Sequence, residues 1–189
     1  VAPAPELKEH PPVSLSSLLS NAQLWLLGFV QMASFGLVLV IGSWITELLK
    51  IQCHLDPKTA GAYGSIVLLL GIVGRRYGGS LVSMLGYRNL LATSLILNMI
   101  ACFVLASVSV SLPIIVVAMI MLGLGSGLPY AALFNRAVAL FPGRGGAAMG
   151  LVNMLGIIMI LAGAPIVGKL VDNTGTFSSA FVSLGIFVA

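Results

Sequence analysis

Between Gly64 and Leu85 the chain reads GSIVLLLGIVGRRYGGSLVSML, an apolar run interrupted only by Arg75 and Arg76. A helix needs about 20 predominantly apolar residues to cross the hydrocarbon core of a bilayer. Such a run cannot be an edge or a loop of a soluble domain. The rest of the chain agrees: 59% of its residues are hydrophobic and 7% charged, whereas soluble domains carry about 25% charged residues. A bilayer is the solvent that tolerates this composition, and within it only helices or closed barrels satisfy their own backbone hydrogen bonds. Unbroken runs of this length predict helices, so the fold class is an all-α membrane protein.

Working outward from that stretch, the same test predicts spans over Leu24–Leu48, Ala60–Leu85, Leu90–Val108, Pro113–Phe134 and Ala147–Leu170. A sixth run, Phe177–Ala189, is short, as if cut within its helix. Residues 1–21 hold four prolines up to Pro12 beside Glu6, Lys8, Glu9 and His10, a composition that predicts a solvated linker. The membrane part is then 22–189. No initiator Met and no signal peptide open the chain, which reads as a segment of a longer one. Lys50–Lys58 and Asn135–Gly146 are predicted loops, Gly86–Asn89 a tight turn, and Ser109–Leu112 an uncharged one. Counting only Lys and Arg in short loops, Arg88, Arg136 and Arg144 outweigh Lys50 and Lys58. The even-numbered loops and the linker are therefore assigned to the cytoplasm, in a plasma (inner) membrane.

The net charge of +4 is spread along the chain with no cluster of the kind nucleic acid needs. Cys53, placed in a loop, and Cys102, placed in a helix, have no metal or redox spacing. They read as unpaired thiols, and no cofactor or metal is expected.

Arg75 and Arg76 carry the most information. Each costs roughly 2.5–3.5 kcal/mol near a helix centre. At 1.5 Å per residue Arg75 lies roughly 22 Å along the helix from Ala60. Two readings stand: the helix ends near Gly74 and both side chains snorkel, or it continues and a fixed guanidinium binds a planar oxyanion through paired N–H donors. Gln31, Tyr63 and Asn153 are weaker candidates for the same pocket. Glycines in the second and fourth spans, among them Gly78 and Gly79, predict close helix packing, and Pro129 and Pro165 predict kinks. No acidic residue lies well inside a span, because Glu47 and Asp172 fall near ends.

The stretch GGSLVSMLGYRN (78–89) resembles the loop motif of the major facilitator superfamily. Gly79, Gly86 and Arg88 match it, whereas Ser83, Met84 and Asn89 stand where the family has Asp, Arg and a second basic residue. An Asp-based latch in that loop is thus not expected. RRYGGSLVS (75–83) looks like the pattern of the nitrate/nitrite porters, which puts Arg75 rather than Arg76 in the anion-binding place. LWLLGFVQMASFGLVL (24–39) is similar to the opening helix of their second half, with Ser34, Phe35 and Gly36 in matching positions, and 122–156 looks like their fourth-to-fifth helix region. Gly150, Asn153 and Gly156 are followed by IIMILAGAP, which departs from the porters' signature helix.

The resemblance implies a six-helix half of a superfamily bundle, working with the N-terminal half of the same transporter. It implies secondary transport of a small solute, nitrate or nitrite first and an organic solute or drug as the alternative. Gly78, Gly79, Gly86, Arg88, Gly150, Gly156 and Pro165 would serve helix packing and gating. An intramembrane serine protease built on Ser126 is disfavoured because His10 and His54 both lie outside the spans, leaving no base within reach.

Overall fold

The computed structural model describes residues 14–107 and 111–189, all helices and connecting turns. In chain order they are α1 (Leu15–Leu19), α2 (Ala22–Gln31), a π-helical turn (Met32–Gly36), α3 (Leu37–Cys53), α4 (Pro57–Leu85), α5 (Tyr87–Leu105), α6 (Leu112–Gly127), α7 (Tyr130–Leu140), a 3₁₀ turn (Pro142–Arg144), α8 (Gly145–Thr174) and α9 (Ser178–Val188). The stretches Ala22–Cys53, Pro57–Leu85, Tyr87–Leu105, Leu112–Leu140 and Pro142–Thr174 are each long and apolar enough to cross a membrane. This is an integral, multi-pass membrane protein. Ser178–Val188 is apolar and shorter.

Local chemistry explains most of the boundaries. Asp56 caps α4 by accepting hydrogen bonds from the Lys58 and Thr59 amides, both at 3.1 Å, and Pro57 follows at the first helical position, where its missing N–H costs nothing. Hydrogen bonds from Thr59, its side chain first and then its amide, hold the Asp56 carboxyl below its ordinary range. His54 ends α3 in the left-handed region (φ 52°), as Gly175 ends α8 (φ 68°). Between α4 and α5 the chain turns on the single residue Gly86 at φ 77°, ψ 155°, a conformation that is essentially glycine-only. Gly86→Ala is therefore expected to destabilise the protein by about 1–3 kcal/mol, read as a lowered melting temperature in detergent.

Several boundaries differ from the sequence reading. The first helix continues past Leu48 to Cys53, so Lys50 and Cys53 are helical and only 54–56 form the turn. The fourth span extends past Phe134 to Leu140, which puts Asn135 and Arg136 on α7 instead of in a loop. Nothing in Tyr130–Leu140 breaks a helix, and the first stop is Pro142. The third span ends at Leu105 rather than Val108, and residues 108–110 lie outside the described residues. Of the expected linker 1–21, residues 1–13 also lie outside them; within 14–21 the short α1 forms and buries Leu18.

Above all, α4 does not end near Gly74. It runs unbroken through both arginines for three more turns, so the early end is overturned. At 29 residues and about 43 Å the helix exceeds the roughly 30 Å hydrocarbon core and is compatible with either reading of the two side chains.

Without a hydrophobic drive between helices in lipid, close backbone approach has to hold the bundle. Helix α4 lies along α6, α5 packs on α6 and α9, and α2 and the π turn pack on α8. At the α4–α6 crossing a Cβ on Gly74 would sit 2.9 Å from the Gly127 Cα. On the other side of the bundle, a Cβ on Gly36 would lie 2.7 Å from the Gly156 carbonyl oxygen. Pro165 sits inside α8, where it cannot donate to the carbonyl one turn earlier. Nearby, Trp44 Nε1 on α3 donates to the Ala164 carbonyl at 3.2 Å, tying α3 to α8.

Candidate functional site

The site forms where α4 passes the π turn and α6. Because Gly71 and Gly74 carry no side chains, α6 comes close enough to place Ser126 beside α4, and a cavity of about 180 Å³ opens between Phe35, Val38, Val67, Gly71, Arg75 and Ser126. Arg75 is the one charged residue on its wall. Its guanidinium carbon lies 4.2 Å from the centre of the Tyr130 ring and 5.2 Å from that of Phe35. Tyr130 is itself braced edge-on against Phe134, with ring centroids 4.6 Å apart.

Two aromatic faces thus hold the guanidinium, and among the described residues no carboxylate pairs with it: the ion pair found there is Lys50–Glu47, at 2.6 Å. Cation–π contacts supply about 0.5–2 kcal/mol. A guanidinium that stacks on aromatic faces can still offer its in-plane N–H donors to an anion. The arrangement sets one positively charged group beside a largely apolar cavity.

Arg75 and Arg76 are both exposed; Arg76, one residue on and about 100° around the helix, does not line this cavity. Tyr63 sits half-buried on α4 and packs on the hydrophobic core, roughly 18 Å along the helix from Arg75. Asn153 is half-buried on α8, away from the cavity wall. Gln31 is fully buried just before the π turn, and neither end of its amide has a hydrogen-bond partner. The structure therefore does not bring Gln31, Tyr63 or Asn153 to Arg75. It brings Phe35, Tyr130 and Ser126 instead. Ser126 Oγ donates to the Gly123 carbonyl at 2.9 Å, which occupies the hydroxyl proton within its own helix.

The expected packing residues also separate. Gly78 lies against the Leu128 carbonyl and Gly156 against Gln31 and Phe35. A Cβ on Gly150 would meet nothing within 4 Å, and one on Gly79 only Ala131 Cβ at 4.0 Å. Arg88 is exposed at the start of α5 and shares with Arg136 a separate cleft whose α4 wall, Gly79 and Val82, begins one turn past Arg75. Both thiols, Cys53 and Cys102, are free, and no group of three or more potential metal ligands occurs among the described residues.

Comparison with known proteins adds two findings. The sequence profile of the Major Facilitator Superfamily matches residues 3–189. Monocarboxylate transporter 2 of Meriones unguiculatus is 36% identical over 88 residues, which cover 46% of this chain and 18% of that protein.

Proposed function

This chain belongs to the Major Facilitator Superfamily, and from that premise we propose that it forms one wall of a secondary transporter for a small organic monocarboxylate, with Arg75 holding the carboxylate. The observation that carries the reading is the guanidinium of Arg75, without a carboxylate partner among the described residues, lying over the rings of Tyr130 and Phe35 at the edge of an apolar cavity. A carboxylate accepts two parallel N–H bonds from such a fork, while Val38, Val67 and Gly71 offer an apolar wall to a short hydrocarbon tail. Bundles of this superfamily carry solute near the midplane, between two six-helix halves that rock around it. The other half, N-terminal in the same transporter, would supply the facing wall and any acidic group for proton coupling.

Both similarities point to a planar oxyanion. The patch at 75–83 resembles nitrate porters, and the curated relative is named for monocarboxylates. The apolar lining favours the substrate that has a tail. Uptake into proteoliposomes holding the intact transporter, with acetate, propionate, butyrate and benzoate beside nitrate, nitrite, a sugar and a cationic drug, tests this. Saturable carboxylate flux is the expected result. Flux of nitrate alone would return the substrate to the inorganic anions, and flux of the sugar or the drug alone would remove the anion reading. Within the same assay Tyr130→Leu, which takes away the nearer ring, should raise KM for the carboxylate about 5- to 10-fold with protein yield unchanged.

A further inference from the structure

The first spanning helix is not uniform. Across Met32–Gly36 it widens into a π turn, and the Leu37 N–H, which in an α-helix would donate to the Ala33 carbonyl four residues back, donates to Met32 and Ser34 instead. The Ala33 carbonyl, on a buried residue, thereby loses its α-helical donor. One side chain from a distant part of the chain replaces it: Asn98 Nδ2 on α5 donates to Ala33 O at 3.2 Å. Asn98 is fully buried. A second carbonyl at the entrance of the turn is met from within the helix, with Ser34 Oγ donating to Val30 O at 2.7 Å.

We infer that Asn98 is a positioning residue for the anion site, holding the π turn in the register that lays Phe35 on Arg75. The inference rests on the proposed role of Arg75. Three features carry it. π turns are rare, occur as single turns inside α-helices and are frequent at functional sites. Asn98 is itself pinned, because α6 passes it at Gly125, where any Cβ would collide with the Asn98 amide oxygen and lie 2.9 Å from its Cγ. That same amide oxygen has no hydrogen-bond partner, so the donor bond to Ala33 is the side-chain hydrogen bond that Asn98 makes. A leucine would fill similar space in an apolar interior without leaving an oxygen unmatched. Phe35, two residues after Ala33 and inside the turn, is the group whose direction depends on that bond.

A general packing role for Asn98 and a positioning role make different predictions. In the intact transporter, Asn98→Leu should raise amide hydrogen exchange of residues 32–37 about 10-fold or more while exchange in α6 and α8 stays unchanged. The melting temperature should not fall. This readout needs no solute. In carboxylate uptake, Asn98→Leu should raise KM about 5-fold with kcat little altered, and should add nothing in a Phe35→Leu background. Asn98→Ser, which fits the same space but falls short of Ala33, should behave like the leucine variant and serves if the latter expresses poorly.

Unchanged exchange at the π turn overturns the inference. So does independence of the two substitutions, their effects on KM multiplying. If the wild-type transporter moves no carboxylate while exchange at 32–37 rises as stated, the assignment of Arg75 fails and the hold of Asn98 on the turn stands.

Discussion

Arg75→Gln is expected to reduce kcat/KM for carboxylate uptake by a factor of at least about 100, and Arg76→Gln by less than about 5. Hydrogen bonds to charged groups contribute about 1.5–3 kcal/mol each, and a bidentate pair loses both when the fork becomes a neutral amide. At about 1.4 kcal/mol per tenfold, the loss reaches two orders of magnitude or more. Glutamine keeps a stem and a planar polar head, so the cavity walls stay in place and the change isolates charge and fork geometry. Arg76 has the same chemistry one residue away and serves as the internal control, since it does not line the cavity. Arg75→Lys should restore little of the activity, because an ammonium offers point charge without the fork. Equal losses at 75 and 76 would mean that the positive face of α4, and not one guanidinium, attracts the solute.

The second large effect concerns the seam between α4 and α6. Gly74→Val and Gly78→Val are each expected to cost about 3 kcal/mol or more, at or above the usual 1–3 kcal/mol for overpacking, read as loss of folded protein by size-exclusion chromatography and melting in detergent. At Gly74 the first added carbon would already stand 2.9 Å from the Gly127 Cα and 3.0 Å from the Leu128 nitrogen. Backbone atoms of a facing helix cannot swing aside as a side chain can, so the helices must part along their length. Gly79→Ala is the contrast. Its new carbon meets nothing nearer than 4.0 Å, and alanine gains up to about 1 kcal/mol of helix propensity over glycine. A stability at or above wild type is expected there. If Gly74→Val melts with the wild type, the close α4–α6 approach is not what holds this half together.

The two predictions draw on sequence legibility in unequal measure. Arg75 and Arg76 stand out in the amino-acid sequence alone, because a charge inside an apolar run carries its own cost and demands a reason. The preference for Arg75 over Arg76 comes through resemblance; of the two, Arg75 lines the cavity. The partners are hidden in the sequence. Tyr130 is 55 positions away in the chain and Phe35 is 40 in the other direction (130 − 75 and 75 − 35), and an aromatic residue in a membrane helix has too many ordinary uses to advertise one ring-to-guanidinium contact. Gln31, Tyr63 and Asn153 are candidates by their polarity within spans, yet polarity does not reveal which way a helix is turned. Gln31 faces Gly156, Tyr63 faces the core, and Asn153 is on another helix.

The boundaries that differ by a few residues share a cause. Hydropathy falls at Lys50, Asn135 and Arg136 because their heads are charged or polar, but helical hydrogen bonding continues until a residue stops it, which here is His54 or Pro142. The π turn in Ala22–Cys53 leaves no trace in composition, since MASFG is compatible with an ordinary helix. The side chain that meets its Ala33 carbonyl comes from α5, 65 positions on in the chain.

By itself the sequence determined the solvent, the all-helical class and the approximate place of the spanning runs, because burial in lipid depends on the sum of apolar residues over a local window and needs no knowledge of neighbours. It also determined that one charge pair had to be explained. Only the tertiary structure decided which arginine meets a cavity, which rings hold it, and which glycines touch another backbone. Those are pairwise facts, set by how each helix is rotated and how closely it approaches the next, and rotation is chosen by contacts between residues far apart in the chain.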